Sequence, residues 1–189
     1  MKEKKLINGI NVNRLSEVID VVGKNPELAK FQFRVKNTWM NGGHSRSIIK
    51  GFYSGKREDN TRSEPYIFEN DQPLILLGSD KGASPLEYIL NSLAACITDS
   101  IIYRAALKGV EIKEIESELE GNFDLRDLFL NQDGIEKQDE NIEVKIRITA
   151  NSLAQEEKIA FCESAEKSSP VFNILTKAFP VNISVANKS

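Results

Sequence analysis

The local signals of a long helix are complete in SPLEYILNSLAACITDSIIYRAALKG, residues 84–109. Ser84 is a preferred N-cap residue, Pro85 takes the first helical position, and Glu87 completes a capping box with Ser84. Gly109 supplies the C-terminal stop. One face carries apolar residues every three to four positions, namely Leu86, Ile89, Leu90, Leu93, Ile97 and Ile101. The pattern predicts a central helix of about 35 Å.

A cysteine, Cys96, lies near the middle of this helix but away from the centre of its apolar face. Steps of three and four residues from Cys96 reach a narrow polar strip, made of Ser92, Asp99, Ser100 and Tyr103. A buried helix with such a strip either packs it against polar partners or lines a cavity with it. Two interpretations of the cysteine stay open, a reactive thiol and a small apolar residue of the core, because free cysteine is frequently buried.

The composition is that of an ordinary globular chain. Its 189 residues, 40% hydrophobic and 28% charged, fit one domain with an appended arm. The net charge of −3 gives no reason to expect nucleic acid or an anionic membrane as a partner. No apolar run approaches the roughly 18 residues of a membrane span, and the N-terminus lacks the apolar segment of a signal peptide. We therefore expect a cytoplasmic protein that binds neither nucleic acid nor membrane.

The cysteines and the histidine limit the chemistry. Cys96 and Cys162 are too few for a disulfide framework, and neither belongs to a CxxC pair, so a reducing compartment is the default. One histidine, His44, and two distant thiols match no common metal-ligand spacing. The sequence predicts no metal and no cofactor.

Helix and strand patterns alternate on both sides of the central helix. Helices are predicted over residues 11–28, 152–167 and 171–179, the second with a capping box of Ser152 and Gln155. Strands are predicted over residues 31–40, 47–53, 65–70, 73–78, 110–125, 141–150 and 181–186, with a hairpin turn at 41–47. The glutamates of residues 110–125 leave a helix there as an alternative. This order indicates an α+β fold with helices laid against antiparallel sheet.

The central segment resembles the OsmC/Ohr family of osmotically inducible and organic hydroperoxide resistance proteins. The matching residues are Ser84-Pro85 at the helix start and Ala94-Ala95-Cys96, whose cysteine follows the proline by eleven positions. A second family element, a helix that ends in a Cys-Pro-Val-like sequence, corresponds to AEKSSPVFNIL at 165–175. The GGHSR hairpin and the terminal VNISV fall in the expected order.

The resemblance covers about residues 31–187 and implies an OsmC-like domain over residues 31–189, preceded by an N-terminal arm with a short helix over residues 1–30. It also implies an intertwined homodimer, with the long helices at its centre and antiparallel sheets wrapped around them. Active family members reduce organic hydroperoxides with a peroxidatic thiolate and a resolving thiol, assisted by an arginine and a glutamate. The arginine stabilises the thiolate, and the second thiol condenses with the sulfenic acid to a disulfide.

Carried over residue by residue, the peroxidatic position is Cys96, and the arginine is Arg46 with His44 as its rival. Ser169 occupies the Cys-Pro position, and a serine cannot form a disulfide. The position of the family's glutamate is held by Leu86. Cys162 lies about 10 Å along its helix from position 169, so we interpret it as structural. We expect the binding site to include His44, Asp99, Tyr103 and Ser169.

Two functions follow from these residues. The first is a one-cysteine thiol peroxidase of the oxidative-stress response, in which Cys96 attacks an organic hydroperoxide, Arg46 stabilises the thiolate, and an external thiol reductant resolves the sulfenic acid. The alternative is a non-catalytic protein that binds a small apolar molecule in a pocket at the dimer interface. A third idea, hydrolytic or transfer chemistry by Cys96 with His44, needs the base within hydrogen-bond reach of the thiol.

Overall fold

The computed structural model describes residues 5–130, 140–151 and 153–185. The chain divides into two compact units, Met1–Asn91 and Ser92–Ser189. All paired strands within the described ranges are antiparallel, so the predicted α+β architecture of antiparallel sheets and helices is confirmed. The elements in chain order are β1 (Leu6–Ile7), β2 (Ile10–Asn11), α1 (Val12–Lys24), β3 (Phe31–Phe33), β4 (Lys36–Asn41), β5 (His44–Ile49), β6 (Phe52–Ser54), β7 (Arg57–Asp59), β8 (Tyr66–Asn70), α2 (Pro85–Lys108), β9 (Ile112–Asn122), α3 (Arg126–Leu130), β10 (Asn141–Ala150), α4 (Gln155–Ser168) and α5 (Pro170–Thr176).

The described part of the first unit holds three small sheets, with strand orders β1-β2, β3-β6-β7 and β4-β5-β8. The predicted hairpin is confirmed, because β4 and β5 pair across a turn in which Gly42 has a φ of 55° that favours glycine. The turn is shorter than predicted, so His44 and Arg46 belong to strand β5. The predicted strands over 31–40 and 47–53 are each interrupted, at residues 34–35 and 50–51.

Two predicted strands are wrong. Residues 73–78 form a 3-10 turn at Leu74–Leu76, since the Asp71 carboxylate draws the chain back on itself instead of leaving it extended. Residues 181–185 are extended but belong to no strand among the described residues, because no described segment pairs with them. Their alternate apolar side chains, Val181, Ile183 and Val185, are 79, 93 and 94% exposed. Ala186 lies outside the described residues.

The central helix α2 forms as predicted, with its capping box intact. The backbone N–H of Ser84 donates to Glu87 Oε2 at 2.7 Å, and the N–H of Glu87 donates to Ser84 Oγ at 3.3 Å. These bonds from the backbone and side chain of Ser84 hold the pKa of Glu87 below its ordinary range. The start of the helix is therefore fixed by local chemistry.

The second unit builds its core on one face of α2. Residues 112–122 are a strand rather than a helix, and β9 pairs with β10 in a long hairpin. Helices α2 and α4 and strand β10 share an apolar cluster of Leu93, Ile97, Ile101, Ala105, Ile148, Phe161 and Ala165. Helix α4 begins at Gln155, where Glu157 accepts a hydrogen bond from the Ala154 N–H at 3.0 Å. Ser152, the predicted cap, lies outside the described residues.

Candidate functional site

Cys96 is held on the side of α2 that faces away from the core of the second unit. At roughly 100° per residue, its direction differs by about 120° from the mean direction of the core residues Leu93, Ile97, Ile101 and Ala105. The cysteine is half-buried, while Asp99 and Tyr103 on the same side are exposed. Ser100 Oγ donates to the Cys96 carbonyl oxygen at 2.9 Å. The polar strip predicted from the sequence is therefore a real surface of the second unit.

Cys162 has a different environment. It packs against the apolar core, and burial, together with the nearby carboxylate of Glu166, raises the pKa of its thiol. A raised pKa disfavours the thiolate, which is the nucleophilic form. This is the environment of a structural cysteine.

Ser169, at the position of the family's second cysteine, is a helix cap. It is fully buried, and its Oγ accepts a hydrogen bond from the Phe172 N–H at 3.2 Å at the start of α5. Its own N–H donates to the Ala165 carbonyl at 2.8 Å, which joins the end of α4 to the start of α5. Serine is among the best N-cap residues, so this side chain has a structural reason to be there.

The GGHSR segment places two of its side chains against one carboxylate in the first unit. His44 and Arg46 are two positions apart on β5 and thus share a face of the sheet. Glu69 on β8 is the cross-strand partner of Arg46 in the register. His44 Nε2 lies 2.8 Å from Glu69 Oε2, and Arg46 Nε donates to Glu69 Oε1 at 2.7 Å. The sequence analysis missed Glu69, because only the β5–β8 register reveals it.

The charge of Glu69 is stabilised by these contacts. Hydrogen bonds from Arg46 and then His44 lower the pKa of the Glu69 carboxyl below its ordinary value of 4.5. The Glu69 carbonyl also accepts a hydrogen bond from Tyr88 Oη at 2.8 Å, so its backbone is tied to the first turns of α2. His44 is 8% exposed, unlike a histidine in a solvated turn.

Asp71 is a second residue that the sequence analysis did not single out. It is 1% exposed, and its carboxylate accepts hydrogen bonds from the backbone N–H groups of Gln72, Ser79 and Lys81 at 2.8, 3.1 and 3.3 Å. Burial acts to raise the pKa of Asp71, but these three N–H groups and the nearby His44 outweigh it and lower the pKa. Asp71 therefore fixes the loop between β8 and α2 in one conformation.

Replacing Glu69 by glutamine should make the protein less stable at neutral pH but not in acid. Because the pKa of the folded carboxyl is lowered, its stabilising contribution is present above about pH 4.5 and is lost as the pH falls through the folded value. The difference in free energy of unfolding between the wild type and Glu69→Gln should therefore shrink steadily below that pH. Chemical unfolding at a series of pH values measures it.

The exposed Glu64 provides the matched control, since Glu64→Gln removes the same charge from the same unit. We expect its effect on the free energy of unfolding to be within about 0.5 kcal/mol. Equal pH profiles for the Glu64 and Glu69 variants would show that the contacts of Glu69 do not stabilise its charge.

The second unit also contains an apolar groove of about 370 Å³. It opens where the hairpin of β9 and β10 meets α2 and α5. Its apolar lining, which defines the apolar groove below, is Leu93, Phe123, Ile142, Val144, Phe172 and Leu175. This volume is within the usual range for small-molecule sites, and the lining suits aliphatic or aromatic groups.

The structure thus groups the predicted site residues into three sets. His44 and Arg46 meet on Glu69 in the first unit, Cys96, Asp99 and Tyr103 share one face of α2 in the second, and Ser169 is a buried cap. Within the described ranges, no cluster of three His, Cys, Asp or Glu side chains suits a metal ion. Nor does any helix described there have the length and apolarity to cross a membrane.

Comparisons with protein-family models and with solved structures agree with each other. The model of a family described as OsmC-like protein matches residues 78–184, which is 107 of the 189 residues. An OsmC-like protein from Mycoplasma pneumoniae superimposes with a TM-score of 0.55 at 16% identity, over 77% of this chain and 87% of that one. An organic hydroperoxide resistance protein OsmC from Legionella pneumophila gives 0.51 at 15% identity, over 76% and 88%. No curated protein sequence matches the chain. At these identities the solved structures establish the fold alone.

Proposed function

The chain belongs to the OsmC-like protein family, and from that premise we propose that it reduces organic hydroperoxides through Cys96, as a one-cysteine thiol peroxidase of the oxidative-stress response. The observation that carries the proposal is the place of Cys96, which is half-buried in the polar strip and turned away from the core. A thiol that only filled space would pack against the apolar cluster, as Cys162 does. The Legionella relative described as an organic hydroperoxide resistance protein is consistent with this chemistry.

The reaction has three balanced steps. The Cys96 thiolate attacks the terminal oxygen of the hydroperoxide, so that an S–O bond forms, the O–O bond breaks, and the alkoxide takes a proton from water to leave as the alcohol. An external thiol then attacks the sulfenic sulfur, which releases water and forms a mixed disulfide. A second external thiol displaces the Cys96 thiolate and leaves as the oxidised disulfide. The external reductant is part of the proposal because Ser169 cannot resolve the sulfenic acid.

We propose that Arg46 is the cation that stabilises the Cys96 thiolate and binds the peroxide oxygen. Its contact with Glu69 leaves it half-exposed, and a guanidinium has five N–H donors, so the carboxylate does not exhaust its bonding capacity. In this proposal His44 and Glu69 position Arg46, and Asp99 and Tyr103, which are exposed on the same face of α2 as Cys96, contribute to substrate binding.

We further propose that the protein is a cytoplasmic homodimer, with an OsmC-like domain over residues 31–189 and an N-terminal arm with a short helix over residues 1–30. The exposed alternate side chains Val181, Ile183 and Val185 support a partner chain, because an extended apolar segment is poorly soluble alone. The substrate is expected to be a small organic hydroperoxide.

The test is to trap the sulfenic acid. One equivalent of cumene hydroperoxide, added to the reduced protein with a cyclic 1,3-diketone, should give a covalent adduct on the Cys96 peptide in mass spectrometry. Cys162→Ala should give the same adduct in the same yield. An unmodified Cys96 at complete peroxide consumption, or an adduct on Cys162 alone, would overturn the proposal.

A non-catalytic binding protein is the second candidate, and the apolar groove is the observation that favours it. Loss of the resolving thiol at Ser169 and the neutralisation of Arg46 by Glu69 also agree with a site that has lost its chemistry. This candidate predicts that Cys96→Ser binds an apolar fluorescent probe as tightly as the wild type does. A missing adduct together with unchanged probe binding would select it.

A further inference from the structure

We propose that the loop between β8 and α2 inserts into the apolar groove of a second copy of the chain. The loop presents three aliphatic side chains, Leu74, Ile75 and Leu77, here termed the apolar knob. Their side chains are 71, 87 and 86% exposed. Three neighbouring aliphatic side chains exposed to this degree are typical of an interaction surface.

The knob is held in a fixed conformation. The N–H groups of Leu76 and Gly78 both donate to the Pro73 carbonyl, at 2.9 and 3.2 Å. The Asp71 carboxylate accepts hydrogen bonds from the N–H groups of Ser79 and Lys81. Leu77 has a φ of 62°, a left-handed conformation that is unfavourable for leucine. The surrounding bonds thus hold a strained backbone that turns a leucine towards solvent. A rigid surface binds with little loss of conformational entropy.

The other unit contains the complementary surface. The apolar groove has about 370 Å³ lined by Leu93, Phe123, Ile142, Val144, Phe172 and Leu175, which suits aliphatic side chains. The carboxylate of Glu140 lies at the groove, and the loop of the knob carries the exposed cation Lys81. These two charges are complementary across the proposed contact. A membrane surface is a poorer occupant, because Asp80 adjoins the knob and the chain's net charge is −3.

In a two-fold dimer the contact occurs twice, since each copy supplies one knob and one groove. The knob then closes the groove with side chains of the partner, and the groove is incomplete without it. This inference rests on the proposed dimer but not on the peroxide chemistry. The two can fail separately, because the experiment below uses protein without Cys96.

Cross-linking tests the contact directly. In chains that carry Cys96→Ser and Cys162→Ala, Ile75→Cys places a thiol on the knob and Leu175→Cys places one in the groove. Co-expression of the two variants under different affinity tags, followed by mild oxidation, should give a covalent dimer that contains both tags. Each variant alone should stay free of covalent dimer. A dimer in sedimentation without cross-linking of the mixed pair would overturn the inference.

A charged knob gives a second readout. Ile75→Asp should weaken dimerisation at least tenfold in sedimentation equilibrium, because a carboxylate would be buried among apolar side chains. Leu128→Asp is the matched control, since Leu128 is also exposed, at 63%, but lies on α3. Equal dissociation constants for these two variants would contradict the proposed contact. A wild-type protein that is monomeric in the same experiment would contradict both the contact and the proposed homodimer.

Discussion

Replacing Cys96 by serine should abolish hydroperoxide reduction, with kcat/KM about a thousandfold lower or less than can be measured. A serine hydroxyl has nearly the size of a thiol but is not ionised near neutral pH, so the nucleophile is lost while the shape of the helix is kept. Loss of a nucleophile typically costs three or more orders of magnitude. The measurement is the consumption of cumene hydroperoxide in the presence of a small dithiol.

Cys162→Ser controls for the second thiol and should keep kcat/KM within about twofold, provided that the protein stays folded. Cys162 packs on the core with a raised pKa, so it is not expected to take part in the reaction. If peroxide consumption persists in Cys96→Ser and disappears in Cys162→Ser, the nucleophile is Cys162 and the proposed role of Cys96 is wrong. Retention in both variants would exclude a thiol mechanism altogether.

Gly78→Ala should unfold the loop between β8 and α2 or force it to rearrange. A Cβ atom at position 78 would lie 1.7 Å from the Gln72 carbonyl oxygen and 2.4 Å from its carbon, both of which are backbone atoms. Neither atom can move without breaking the loop held by Asp71. Overpacking of this kind costs roughly 3 kcal/mol, equivalent to a fall in Tm of about 6–12 °C for a chain of this size. Thermal unfolding followed by circular dichroism measures it.

Gly23→Ala is the matched control for this substitution. Gly23 lies in helix α1, and a Cβ there meets no atom within 4 Å. In a helix, alanine is more favourable than glycine by roughly 0.5–1 kcal/mol, so the Tm of Gly23→Ala should stay constant or rise slightly. If Gly78→Ala has the same Tm as the wild type, the close approach of Gly78 to Gln72 does not exist in solution.

The central helix α2 and the strand β10 could be predicted from the sequence because their signals are local. The capping box of Ser84 and Glu87 acts over three residues, and the alternation in residues 141–150 is a property of that strand alone. The segment 73–78 has an equally apolar pattern, but its conformation is set by a carboxylate at Asp71 that binds N–H groups eight and ten residues away. A pattern of hydrophobicity does not contain that information.

In the candidate site, too, features with local signals could be predicted and contacts between distant residues could not. Cys96 and its polar strip could be located because helical spacing is regular. The partnership of His44, Arg46 and Glu69 could not, since it depends on the register between β5 and β8, which are separated by two further strands. The serine at position 169 is evident from the sequence, but its burial and its hydrogen bond from the Phe172 N–H at the start of α5 needed the structure.

The scarcity of buried apolar residues in the first unit bears on how the protein is made. Among the described residues of Met1–Asn91, only Ile7 is a buried apolar side chain, whereas Phe31 and Phe33 are largely exposed. This half of the chain leaves the ribosome first, and its described residues offer almost no buried apolar side chains around which it could collapse. Nascent chains should therefore depend on chaperones, or on pairing with a neighbour on the same polysome, before translation ends.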